Sequence, residues 1–108
     1  MPRIQDETIE EGQDISAAGV IAETQIKGDT LVSLNIVGTA AASYAVDVSA
    51  TGEDGDWFEG DETYNQANLD DATDIRDEFR FGHRHLRVRV TDPAAAGETA
   101  DVTISEAR

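Results

Sequence analysis

The most constraining feature of the chain is the run His83-Arg-His-Leu-Arg-Val-Arg-Val-Thr91, which alternates polar and apolar residues without a break. Leu86, Val88 and Val90 fall on one side, and His83, His85, Arg87, Arg89 and Thr91 on the other. A period of two belongs to a β-strand with one dry face and one wet face. With Arg84 counted at its edge, the segment holds three of the eight basic residues and both histidines. One strand therefore supplies core on one side and a cationic stripe on the other.

The rest of the chain is read outward from that strand. Val20, Ala22, Thr24 and Ile26 share a face and predict a strand from Gly19. Lys27-Gly28-Asp29 is a turn signal, with Gly28 free to take positive φ. Thr30 to Val37 predicts a second strand, with Val32, Leu34 and Ile36 inward and Leu31 and Val37 at its ends. These two are expected to form a hairpin. Gly38 to Ala42 reads as a small-residue crossing. A third strand follows over Ser43 to Thr51, with Tyr44, Val46, Val48 and Ala50 dry and Asp47 and Ser49 wet. Gly52-Glu53-Asp54-Gly55-Asp56 is a turn, and Trp57-Phe58 directly after it is expected to cap one end of the core.

Glu59 to Glu78 carries the weakest pattern: a turn at Gly60-Asp61-Glu62, then a short strand over Thr63 to Leu69. Asp70 to Asp77 fits a loop or one helical turn capped by Asp70 or Thr73, with mostly extended chain favoured. Phe79 and Phe81 lead into the cationic strand, which Asp92-Pro93 ends. Pro93 to Glu98 is a connection, and Thr99 to Glu106 the final strand, with Ala100, Val102 and Ile104 inward. Short strands at regular spacing without a long amphipathic helix predict an all-β fold, a small antiparallel β-sandwich or jelly-roll-like body of six to eight strands. That body spans 15–108. Residues 1–14 read as an extended acidic N-terminal arm, either mobile or ordering on a neighbouring subunit through Ile4 and Ile9.

With 108 residues the chain suits one domain. It has no cysteine, so disulfides and thiolate metal sites are excluded. No apolar run approaches a membrane span of ~20 residues. The N-terminal stretch has no apolar core of a secretory signal. The dominant compositional signal is charge: 23 acidic residues against 8 basic ones, a formal net charge of −15, and Lys27 as the one lysine. A disordered acidic tail would gather its acids in a block, whereas these are scattered between strands. Self-repulsion on so small a body is screened in molar salt, where the Debye length falls to ~3 Å. The rival reading, an acidic partner for a basic protein or a nucleic-acid mimic, expects a long acidic block that is absent here.

Each candidate site has a plain counterpart. His83 and His85 at i and i+2 are a usable metal-ligand spacing, but no third ligand accompanies them, and a polar outward face accounts for both. The stripe His83, His85, Arg87 and Arg89 is either a contact surface for another subunit or a set of cross-strand ion pairs, with Asp47 and Asp101 the natural partners. Glu53-Asp54-Gly55-Asp56 and Asp70-Asp71-Ala72-Thr73-Asp74 offer oxygen ligands but not the EF-hand pattern. No serine sits in a Gly-x-Ser-x-Gly elbow, and carboxylates this abundant carry no weight for acid–base work. Neither an enzyme nor a cofactor or metal site is expected, and the acidic field disfavours nucleic acid.

The run Tyr44-Ala-Val-Asp-Val-Ser-Ala-Thr-Gly-Glu-Asp-Gly-Asp-Trp57, with the later Leu86-Arg-Val-Arg-Val90, resembles a pattern of small β-sandwich modules. It is similar to discoidin-like domains, though it lacks their usual cysteine pair, and to short structural proteins of tailed viruses. The acidic, lysine-poor composition resembles that of proteins from extremely halophilic archaea. Together these resemblances imply a virion structural protein of a haloarchaeal tailed virus: a capsid decoration or turret subunit, or a head–tail or tail component. The implied partners are other virion proteins and further copies of the chain in a homo-oligomer, with assembly in the host cytoplasm. The alternative is a carbohydrate-binding or host-attachment module in which Trp57, Phe58 or Tyr64 stacks on a sugar. Between 0.1 M and 3 M KCl the melting temperature is expected to rise by roughly 5–10 °C, as 1–2 kcal/mol of self-repulsion is relieved. A flat or falling melting curve contradicts the brine reading.

Overall fold

The computed structural model describes residues 7–26, 30–60 and 69–107. They form seven strands: β1 (Glu7–Asp14), β2 (Gly19–Gln25), β3 (Thr30–Ser49), β4 (Trp57–Phe58), β5 (Ala72–Phe81), β6 (His85–Asp92) and β7 (Thr99–Ala107). Every pairing is antiparallel. The fold is all-β, as the alternating segments predict, and the seven strands form one hydrogen-bonded sheet that folds over at β3 into two layers. The first layer runs β5-β3-β7-β1 and the second β4-β3-β6-β2.

Both layers share β3. At ~3.3 Å per residue a straight 20-residue strand would be about 66 Å long, yet the longest dimension of the molecule is 41 Å. The strand must therefore bend. It does so at Gly38 to Ala42, where pairing with β5 slips between Val37 and Ala42. Thr30 to Val37 pairs with β5 and β7, and Ser43 to Ser49 with β6 and β4. The predicted small-residue crossing is thus a corner within one continuous strand. Small side chains suit it because a Cβ on Gly38 would lie 2.8 Å from the Thr73 carbonyl oxygen and 3.1 Å from that of Ala40.

The core lies between the layers. Val32, Leu34 and Ile36 from one half of β3 meet Val46 and Val48 from the other, with Leu86, Val88 and Val90 of β6 and Val102 and Ile104 of β7. Ile15, Leu69, Ile75 and Phe81 are also buried there. On one side the layers close together where the Thr8 hydroxyl of β1 donates to the Thr24 hydroxyl of β2 at 2.8 Å.

Several expectations are corrected. The first two predicted strands form no hairpin: β2 pairs with β6, and Thr30 to Val37 lies in the other layer. Each strand finds its ladder partners inside its own layer, β6 for β2 and β5 and β7 for Thr30 to Val37. The turn itself, Lys27 to Asp29, lies outside the described residues. Val20 is 47% exposed instead of inward, because a bulge between Val20 and Ala22 turns Ile21 to the core in its place. Ala50 is exposed, since β3 ends at Ser49. Asp47 and Ser49, expected to be wet, are fully buried. Phe58 is 69% exposed and does not cap the core. Ala72 to Phe81 is extended, as favoured, while the strand expected over Thr63 to Leu69 lies outside the described residues except for buried Leu69. Within the stretch read as an arm, Glu7–Asp14 is β1 and pairs with β7; Met1 to Asp6 lie outside the described residues.

The corner generates a prediction. Gly38→Ala is expected to destabilise by about 1–3 kcal/mol, because its methyl meets backbone atoms that cannot rotate away. Urea unfolding checks this, with Ala41→Gly, at an exposed neighbour, costing about 1 kcal/mol or less.

Candidate functional site

The cationic strand does not face solvent with its charges free. On β6, Arg87 stands directly across from Asp47 on β3, and Arg89 across from Ala45. Both arginines reach the same carboxylate. Arg87 Nε and Arg89 Nε each donate to Asp47 Oδ2 at 2.8 Å, and an Arg89 terminal nitrogen donates to Oδ1 at 3.2 Å. The Gly60 backbone N–H completes the set, donating to Oδ1 at 3.0 Å. Asp47 is wholly buried, while the Arg87 and Arg89 side chains keep 14% and 23% of their surface. Glu59 adds a half-exposed carboxylate 3.1 Å from Arg87. The Arg87 guanidinium lies 4.4 Å from the centre of the Trp57 ring, and His85 meets the same ring edge-on at 6.5 Å.

Local chemistry builds this arrangement. The Ser49 hydroxyl accepts from the N–H groups of Thr51 and Gly52, which starts the turn as β3 ends. The Asp56 carboxylate accepts from the Thr51 hydroxyl at 2.7 Å, and the Asp56 N–H returns to the Glu53 carbonyl at 3.0 Å. The chain then comes back as β4, with Trp57 opposite Ser49 and Phe58 opposite Val48. That return brings Trp57, Glu59 and Gly60 over the outer face of the second layer. Gly52, at φ +77, sits under the His85 ring, where a Cβ would be 2.8 Å from Nδ1.

The electrostatics follow. Burial alone would raise the Asp47 pKa. Hydrogen bonds from Arg89 and Arg87, the Gly60 N–H and the charge of Arg89 outweigh it, and hold the carboxyl below its ordinary 3.8. Arg89 is pushed up, chiefly by its hydrogen bond to Asp47. With both oxygens engaged by donors, Asp47 has no free lone pair to serve as a general base. The cluster is a rivet joining β3, β6 and the β4 segment.

The residues expected to form an interface are therefore dispersed. Arg87 and Arg89 are engaged within the protein, as the cross-strand reading with Asp47 predicts. Asp101 instead accepts from the Gly12 N–H at 2.8 Å. His83 precedes β6 and packs against the Phe81 ring at 5.7 Å, whereas His85 packs on Trp57. Ile9 is 57% exposed on β1, and Ile4 lies outside the described residues. Among the described residues no three histidine or acidic side chains gather to hold a metal ion.

Two surface features escaped the alternation argument. An open cleft of about 360 Å³ is lined by Ala50, Thr51, Gly55, Asp56, Trp57 and Phe58. The other is the outer face of the first layer, where Ile9, Leu31 and Val37 are exposed. Its signal was present in the doublets Leu31-Val32 and Ile36-Val37, which break the period of two by placing apolar residues on both faces. Compared with protein-family models, curated proteins and solved structures, the chain matches none.

Asp47→Ala is expected to cost about 3 kcal/mol at pH 7, since it strands two partly buried guanidinium groups. The linkage has a definite sign. A carboxyl whose pKa is lowered on folding stabilises above its unfolded value of about 3.9, and that contribution is lost as pH falls through the folded value. The stability gap between the wild type and Asp47→Asn, read by urea unfolding, is therefore expected to be full at pH 7 and to narrow below about pH 4.

Proposed function

We propose that this chain is a non-enzymatic virion structural protein, which binds the capsid or neighbouring virion subunits, self-associates, and stabilises or decorates the particle in high salt. The observation that carries this reading is the outer face of the first layer. Of the five large apolar side chains exposed on the described surface, Ile9, Leu31 and Val37 share that one face. In a chain of net charge −15, a face carrying these side chains, spread among the polar Ser33, Asn35 and Thr103, is where contact with another protein is least opposed. Short-range apolar contact also suits brine, because at molar salt charge attraction reaches only ~3 Å. The saturated Asp47 carboxylate supports a structural role over a chemical one.

A second reading rests on a separate observation. Phe58 is 69% exposed beside the cleft that Trp57 and Asp56 also line. An open aromatic wall with a carboxylate at its rim suits a sugar, so a carbohydrate-binding or host-attachment module is the alternative.

The two separate experimentally. The structural reading expects the protein in particles purified from a salt-loving host, detected by mass spectrometry. It also expects the recombinant chain to co-sediment with such particles in molar KCl, with binding lost in Leu31→Asp/Val37→Asp. A protein that never accompanies particles or shell proteins contradicts it. The alternative expects a hit on a glycan array in high salt that Phe58→Ala removes.

A further inference from the structure

The outer face of the first layer has an internal order. Strand register places Leu31 beside Arg80, Ser33 beside Glu78, Asn35 beside Arg76 and Val37 beside Asp74. Reading along β5, the outward charges alternate: Asp74, Arg76, Glu78, Arg80. The midpoint of that series is Asp77, which stands opposite Leu34, the midpoint of the outward series on β3. A two-fold axis lying in the face at this level, across the strands, reverses both series at once. It brings Arg80 of one copy over Asp74 of the other, and Arg76 over Glu78. It also brings Leu31 over Val37 and Ser33 over Asn35. On β7 it exchanges Thr103 with Ser105, which flank Ile104 opposite Leu34.

We infer that this face is an isologous dimer interface, and that its partner is a second copy of the chain. Self-complementarity is what a two-fold contact requires, because each residue must suit the residue its own image presents. Along β5 and β3 acid meets base, apolar meets apolar and hydroxyl meets amide, and at the centre of β7 hydroxyl meets hydroxyl; the β1 rim, where the same axis sets Glu7 over Ile9, adds no matched pair. An in-plane axis shifted by one residue along β5 would instead set Arg76 on its own copy or Glu78 on its own copy, and the face would repel itself; a shift of two residues keeps acid over base but no longer sets Leu31 over Val37. The area is sufficient. Four strands ~4.8 Å apart and eight residues long span roughly 500 Å² a side, or about 1,000 Å² in all, the lower bound for a specific interface. Aligned sheets cross at about −30°, so the match is closest at the centre and loosens toward the β1 rim. Docking this way leaves the Asp47 cluster and the Phe58 cleft on the outside of the dimer.

The same charge series would also match if two β5 edges paired side by side. That arrangement sets the inward-facing Asp77 against its own copy. Among the described residues β5 pairs on one side only, with β3, and an inward charge in the middle of such a strand is a known device against pairing on the other.

The inference deepens the self-association part of the proposed function. Its test is sedimentation equilibrium of the full chain in 1 M KCl, with circular dichroism to verify that each variant stays folded. The wild type is expected to be dimeric and Val37→Asp monomeric. Arg76→Glu and Glu78→Arg are each expected to weaken the dimer about tenfold, and the double variant R76E/E78R to recover most of that loss, because the pairs are re-formed with signs exchanged. A monomeric wild type, or a double variant as weak as its parents, overturns the inference. Tighter association of Asp77→Asn overturns it too, in favour of edge pairing. A monomer that still co-sediments with particles removes the dimer and leaves the structural role standing. A dimer that answers to the charge exchange yet never accompanies particles supports the interface and removes that role.

Discussion

One backbone serves both layers, and the rest of the molecule is hung from it. β3 gives its first half to β5 and β7 and its second half to β6 and β4, so four of the other six strands pair directly with it. β1 and β2 attach one strand further out, to β7 and β6. The corner at Gly38 to Ala42 determines how the two layers face each other and hence whether Val32, Leu34 and Ile36 can meet Val46 and Val48. A single covalent strand turning between the layers joins them with no intervening loop. It demands small residues where backbone passes close to backbone, and the sequence Gly38-Thr-Ala-Ala-Ala42 supplies them.

The second layer depends further on the buried Asp47 carboxylate. Most of the chain's acids lie exposed, where salt screens them and each ion pair contributes little. Asp47 is different: it is removed from solvent, so its attraction to Arg87 and Arg89 is screened far less. The desolvation cost is offset because every acceptor site has a donor at hydrogen-bond distance. The two arginines are in turn held in place, Arg87 by the face of Trp57. A stripe that would steer a partner if it were free is instead used to fasten the β4 segment over the sheet.

The two outer surfaces are unlike each other as a result. The second layer carries the fastened charge cluster and the open aromatic cleft. The first layer presents hydroxyl and amide groups at its centre, apolar Leu31 and Val37 toward the ends of that half of β3, and alternating charge along β5. The dimer proposed above would use the first of these faces and leave the second uncovered.

Much of the architecture was legible in the alternation of apolar residues. The strands at Thr30 to Val37, Ser43 to Ser49, His85 to Asp92 and Thr99 to Ala107 follow from it, with their inward residues, because burial on one face imposes a period of two. The pairing of Arg87 with Asp47 was legible as well, since both were read as outward residues on strands. Periodicity does not say which strands are neighbours. Only the tertiary structure decided that β2 pairs with β6 and not β3, that a bulge turns Ile21 inward in place of Val20, and that the returning β4 segment buries Asp47. Those outcomes depend on contacts between residues far apart in the chain, whose energies are set by what the other layer presents. A local pattern carries no record of them.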